Sequence, residues 1–131
     1  MRKRILLLLV TALTALSACE KQPDQNIWCH VTFNTVLSDG SVFLSMEVDP
    51  QPDGNFLRNL NTQQDFDFPV FVNGSGQVRL LKGMYYLAFD AQAVFPDGTR
   101  KRVRCTQYNS PEKSIALLED TASVEIQLTV F

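Results

Sequence analysis

Apolar and polar residues alternate with a period of two from Ile27 to the C-terminus, and this predicts an all-β protein: a two-sheet antiparallel sandwich of seven or eight strands. Two further observations support that class. No segment longer than a turn or two carries a helical stripe, and clusters of Gly, Pro, Asn and Asp punctuate the alternation at hairpin spacing.

The first strand is expected from Ile27 to Leu37, followed by Asp39-Gly40 as a two-residue type I′ turn. That register sets Leu37 against Val42, Thr35 against Leu44, Phe33 against Met46 and Val31 against Val48, so one face is apolar. Thr32, Asn34, Val36, Phe43, Ser45 and Glu47 then fall on the solvated face. After the loop from Pro50 to Asn55, Phe56 to Gln64 is irregular. Asp65 to Asn73 reads as an edge strand, because Pro69 cannot donate to a ladder. Asn73-Gly74-Ser75-Gly76 turns the chain into a short strand, Gln77 to Leu81. Met84 to Phe95 and Thr99 to Gln107 form a second hairpin around Pro96-Asp97-Gly98, a type I turn followed by a left-handed glycine. Its three-residue loop pairs Phe95 with Thr99, Ala93 with Lys101, Ala91 with Val103 and Phe89 with Cys105. A two-residue loop would set the apolar row against Arg100, Arg102 and Arg104. Ser114 to Leu118 and Thr121 to Phe131 complete the strands.

Residues 1–18 have the anatomy of a cleavable signal: Arg2-Lys3-Arg4, an apolar run from Ile5 to about Ala15, and a small-residue exit at Ser17-Ala18. The run falls short of the roughly 20 residues a membrane-spanning helix needs. Leu16-Ser17-Ala18-Cys19 matches the lipobox of bacterial lipoproteins, which makes Cys19 the expected lipidation site. Several acyl chains there, at about 0.8 kcal/mol per buried CH₂, would hold the protein on a membrane. Residues 19–26 then serve as the lipidated cysteine and tether, and 27–131 as one β domain. The signal takes three of the 12 basic residues and none of the 14 acidic ones, leaving nine against 14, a mature net charge of −5. Nucleic acid is not an expected partner of such a surface. With Cys19 assigned to lipid, Cys29 and Cys105 remain as an even pair in an exported chain. A disulfide is expected between them, closing a loop of about 77 residues and contributing about 4.5 kcal/mol by chain entropy.

Few residues suggest catalysis or a metal. The one histidine, His30, lies on the polar face of the first strand with no triad partner in view, and one imidazole cannot complete a zinc site. Asp49, Asp53, Asn55, Asp65 and Asp67 lack EF-hand spacing and read as a turn and a solvated strand face. No cofactor, metal or enzymatic activity is expected. The most unusual local feature is Arg100-Lys101-Arg102-Val103-Arg104, whose alternation puts three guanidinium groups on one face. They form a candidate anion site, set against the plainer reading of cross-strand pairs with Asp90 opposite Arg104 and Gln92 opposite Arg102. Trp28, Tyr86 and Tyr108 are candidate sugar-stacking aromatics, set against simple edge capping.

The lipobox followed by Glu20-Lys21, together with Val78-Arg79-Leu80-Leu81-Lys82-Gly83-Met84-Tyr85-Tyr86-Leu87-Ala88-Phe89, resembles small lipoproteins of Bacteroidota. Their domains are prealbumin-like, and those of fimbrial anchors share a strand, Gly-x-Tyr, strand element. The resemblance covers about a third of the mature chain. It implies a prealbumin-like or immunoglobulin-like sandwich and an outer-membrane-anchored, non-enzymatic binding or structural module of the cell envelope. Glu rather than Asp at position 20 is in keeping with the outer membrane under proteobacterial-type sorting. A component role in a fimbrial or conjugative surface assembly is one alternative, and a glycan- or lipopolysaccharide-binding accessory role, using the arginine row and the exposed aromatics, is another; the side of the membrane the domain faces stays open.

Overall fold

The computed structural model describes residues 27–51 and 54–131, so the signal, Cys19, the tether and Asp53 lie outside the described residues. Every regular element among them is a strand: β1 (Trp28–Leu37), β2 (Ser45–Val48), β3 (Phe56–Asn59), β4 (Phe71–Val72), β5 (Ser75–Leu81), β6 (Gly83–Val94), β7 (Arg100–Tyr108), β8 (Ile115–Leu117) and β9 (Thr121–Val130). The all-β expectation holds.

The strands do not separate into two sheets. They run in the order β2-β4-β5-β1-β9-β7-β6, and β6 pairs back onto β2, so seven strands close into a ring. Partner by partner, a path leads from Phe33 to Gly76, Phe71, Met46, Ala93 and Lys101. The β7–β9 register, Val103 opposite Val130, and the β9–β1 register, Leu128 opposite Leu37, return it to β1 at the level of Ser41, eight residues past its start. Seven strands with a stagger of eight residues correspond to a tilt of about 40°. The ring is unevenly knit: β1–β5, β1–β9 and β6–β7 share seven or eight register pairs each, whereas β2–β4, β4–β5 and β7–β9 share two. The long β6 carries β7 and then β8 along one edge and β2 and then β3 along the other.

Hairpin β6–β7 has the predicted register throughout its upper half, with Phe89 opposite Cys105 and Ala93 opposite Lys101. Phe95 N–H donates to Thr99 O at 2.9 Å, and Gly98 sits at φ +86°. Asn73 and Gly74, at φ +51° and +81°, make a type I′ turn between β4 and β5. The expected edge strand from Asp65 shrinks to Phe71–Val72, because the chain around Pro69 drifts from β2.

The expected β1–β2 hairpin does not form. β1 pairs with β5 and, in parallel, with β9, while β2 lies across the ring against β6 and β4. Phe43, expected on the solvated face, is fully buried, and Val42 and Leu44 are exposed instead. The reason is that the chain leaves the Asp39-Gly40 turn without pairing back. This resets the parity of every residue up to Ser45.

The ring is filled by inward residues of all its strands, among them Val31, Phe33, Leu80, Leu87, Val103 and Ile126. One column of aromatics runs through it. Phe71 lies 6.5 Å from Phe43 and 6.1 Å from Phe89, and Phe89 lies 5.5 Å from Phe68, with Ala91 and Ala93 supplying small neighbours on β6.

Candidate functional site

The arginine row is largely committed to the scaffold. Arg104 grips Asp90 with two hydrogen bonds, Nε to Oδ1 at 2.8 Å and Nη2 to Oδ2 at 3.1 Å, as the hairpin register predicts. Arg102 passes over its cross-strand neighbour Gln92 and grips Asp49 with both Nη atoms, Nη1 to Oδ1 at 2.8 Å. That contact ties β7 to the end of β2 across β6. Both guanidinium groups also lie over the Phe131 ring, Arg104 at 4.3 Å and Arg102 at 5.7 Å. Arg100 alone of the three has no carboxylate partner among the described residues. The anion-gripping face expected of Arg100, Arg102 and Arg104 is therefore mainly a brace.

The same brace makes stability acid-sensitive in a predictable direction. Hydrogen bonds from Arg102 and Arg104 hold the Asp49 and Asp90 carboxyls below the usual carboxylate range. A depressed native pKa contributes stability that is complete above the unfolded value, about 3.9, and is lost as pH falls through the native one. The Asp49→Asn, Asp90→Asn double variant should therefore lose less urea resistance than the parent between about pH 5 and about pH 3. Parallel losses in the two proteins would show that the pairs add nothing to folding.

The three candidate stacking aromatics do not converge. Trp28 is on β1, Tyr86 on β6 and Tyr108 at the end of β7. Tyr108 lies flat across to β9, donating its hydroxyl to Glu125 O at 2.7 Å and covering core residues. Tyr86 faces Arg58 of β3 in register. Trp28 lies against Arg79, which lines a cleft on the outer face of the ring.

Cys29 and Cys105 are both on apolar faces as expected, yet they are free thiols rather than a disulfide. β9 lies between their strands. Cys29 is level with Asp120 and Cys105 with Leu128, eight residues further on, which is about 26 Å along the strand. The other way round the ring they are five strands apart. A bridge needs Cα atoms within about 7 Å. Facing the core, as both residues do, is a much weaker condition than facing each other. Burial pushes the Cys105 thiol up to about 11, against the Gln107 N–H that favours thiolate, and burial likewise raises Cys29, partly offset by Lys82. Both are poor nucleophiles at neutral pH. Reductant should leave the denaturation midpoint unchanged, and both thiols should react with a thiol reagent only on unfolding. A drop of several degrees in reductant would restore the bridge.

The acidic residues singled out in the sequence are dispersed. Asp65 pairs with Arg58 at 2.7 Å, Asp49 with Arg102, and the buried Asn55 accepts the Asp90 N–H at 2.8 Å. Among the described residues no three His, Cys, Asp or Glu converge on a metal position.

A shallow cleft of about 570 Å³ lies elsewhere, on the outer face of β5, β1 and β9. Two cross-strand rungs make it. Arg79, His30 and Thr121 form one, and Gln77, Thr32 and Ser123 form the next. The floor is shallow because Thr32, Thr121 and Ser123 are short. At one end the Arg79 guanidinium lies 4.3 Å over the Trp28 ring, and at the other Asn34 donates to the Ser123 hydroxyl at 3.0 Å. Sequence parity places His30, Thr32 and Trp28 on a common face. It does not reveal that β5 and β9, rather than β2, flank them, so Gln77, Arg79, Thr121 and Ser123 go unrecognised at that level.

No protein-family model, curated protein or solved structure matches this chain.

Proposed function

We propose that the protein is a lipid-anchored, non-enzymatic binding module of the cell envelope, held by Cys19, with the outer membrane as its site. The observation that supports it is the polarity of the domain. Trp28, the first residue of β1, follows Cys19 by nine residues, so a tether reaching at most about 30 Å enters at one pole of the ring. The end of β1, the end of β9 and the β4–β5 turn mark the opposite pole. Val36, Val42, Leu44, Val72, Val130 and Phe131 are exposed on that side. A membrane-held pole with an apolar far pole suits capture of a protein partner in the envelope better than a freely diffusing role.

The finer architecture we propose is a prealbumin-like sandwich whose corners have fused. In that reading β5-β1-β9 is one layer and β4-β2-β6-β7 the other, and the ladders of two pairs at β4–β5 and β7–β9 are the corners. It agrees with the resemblance to Bacteroidota lipoproteins.

Metabolic labelling with a radioactive fatty acid tests the anchor. The full chain should incorporate label and fractionate with membranes, and Cys19→Ala should do neither. An unlabelled parent chain would refute the anchor.

A further inference from the structure

We propose that the cleft across β5, β1 and β9 is a binding site for an acidic saccharide, a sugar carrying a carboxylate. The inference rests on the binding-module reading above and on no other part of it, since it does not require lipidation.

Charge is the first argument. The basic side chains of Arg58, Lys82, Arg102 and Arg104 each hold a carboxylate, and Lys101 lies over Phe95. Arg79, like Arg100, Lys101 and Lys113, has no carboxylate partner among the described residues, and of these four it is the one that lines the cleft. Its guanidinium carbon lies 4.3 Å from the centre of the Trp28 ring, a contact that favours one placement of the side chain and lowers the entropy that binding would otherwise have to remove. Asp120, the carboxylate nearest in sequence to the cleft, is neutralised by Lys82 at 2.7 Å.

The second argument is the pattern of hydrogen-bonding groups around Arg79. His30, Thr121, Gln77, Thr32 and Ser123 present an imidazole, an amide and three hydroxyls in two parallel rungs. Neighbours are about 4.8 Å apart across strands and about 7 Å apart along them. Such a grid matches the hydroxyl periphery of one or two sugar rings, with the carboxylate directed at Arg79. A neutral apolar ligand would strand these groups, and a polyphosphate would meet only one guanidinium.

Trp28 is the single tryptophan of the chain and reports the cleft through its contact with Arg79. Titration of the purified full chain with oligogalacturonate should change its emission saturably, while an uncharged malto-oligosaccharide of equal length should not. Arg79→Gln should weaken the oligogalacturonate response about tenfold or more, the loss expected for a charge-assisted hydrogen-bond pair. Lys113→Gln makes the same change of charge outside the cleft and should leave the response intact. Because Arg79→Gln alters the indole's surroundings, binding is also read by calorimetry. Equal weakening by both substitutions, an equal response to the neutral sugar, or no saturable response would overturn the proposal. None of these results bears on fatty-acid labelling of Cys19, so failure of the cleft and failure of the anchor are separately visible.

Discussion

Gly83→Ala should cost about 3–5 kcal/mol of stability, one of the two largest effects expected of a single substitution here. Gly83 opens β6 at φ +153°, a conformation few L-residues adopt, and a Cβ there would stand 2.6 Å from Asn61 Oδ1 and 2.9 Å from Asn59 Nδ2. Neither amide can yield without loss. Asn61 Oδ1 accepts the Met84 N–H at 2.9 Å, and the fully buried Asn59 accepts the Asn61 and Thr62 N–H groups at 2.9 and 3.0 Å. The Asn59 Nδ2 is buried without a partner, and it cannot swing away from a methyl group without carrying with it the Oδ1 that accepts those two N–H groups. Urea denaturation measures the loss. Hydrogen exchange should show the Asn61 and Thr62 amides opening first. A loss under about 1 kcal/mol would mean that the turn after β3 simply shifts aside.

Phe89→Ala should cost about as much, 3–5 kcal/mol or so, for a different reason. The Phe89 ring is 2% exposed and stacks between Phe68 and Phe71, and Phe71 in turn contacts Phe43. Its neighbours on β6, Ala91 and Ala93, are too small to fill a vacated volume. Phe89→Leu, which keeps most of that volume, should lose well under half as much. If the two substitutions cost the same, the ring's shape rather than the cavity would be the determinant.

Local signals and distant partners differ in how legible they are. Asp39-Gly40-Ser41 and Asp97-Gly98-Thr99 make the same bonds: the Asp Oδ1 accepts the N–H and hydroxyl of the Ser or Thr, and the glycine N–H closes on a carbonyl three residues back at 2.9 Å. Only the second turn closes a hairpin. Turn chemistry fixes that the chain bends, while the pairing that follows depends on which strands compete for β1, and β5 and β9 win that competition with seven and eight register pairs. Alternation likewise fixes which face a residue is on but not whom it meets. The Arg104–Asp90 pair was therefore legible and the Arg102–Asp49 pair, 53 residues apart, was not. The disulfide expectation failed on the same distinction, and the cleft went unseen because its three strands come from the beginning, the middle and the end of the described domain.

The parallel pairing of β1 with β9 has a kinetic consequence. Val31 meets Ala122, so the first strand completes its hydrogen bonds only with a segment some 90 residues later. Contacts of such long range must close large loops before they return any stability, and folding dominated by them is slow. Closure of β1 on β9 is therefore expected to be a late step of folding. Under the export proposed above, that delay would leave the β1–β9 pairing unmade while the chain is still extended.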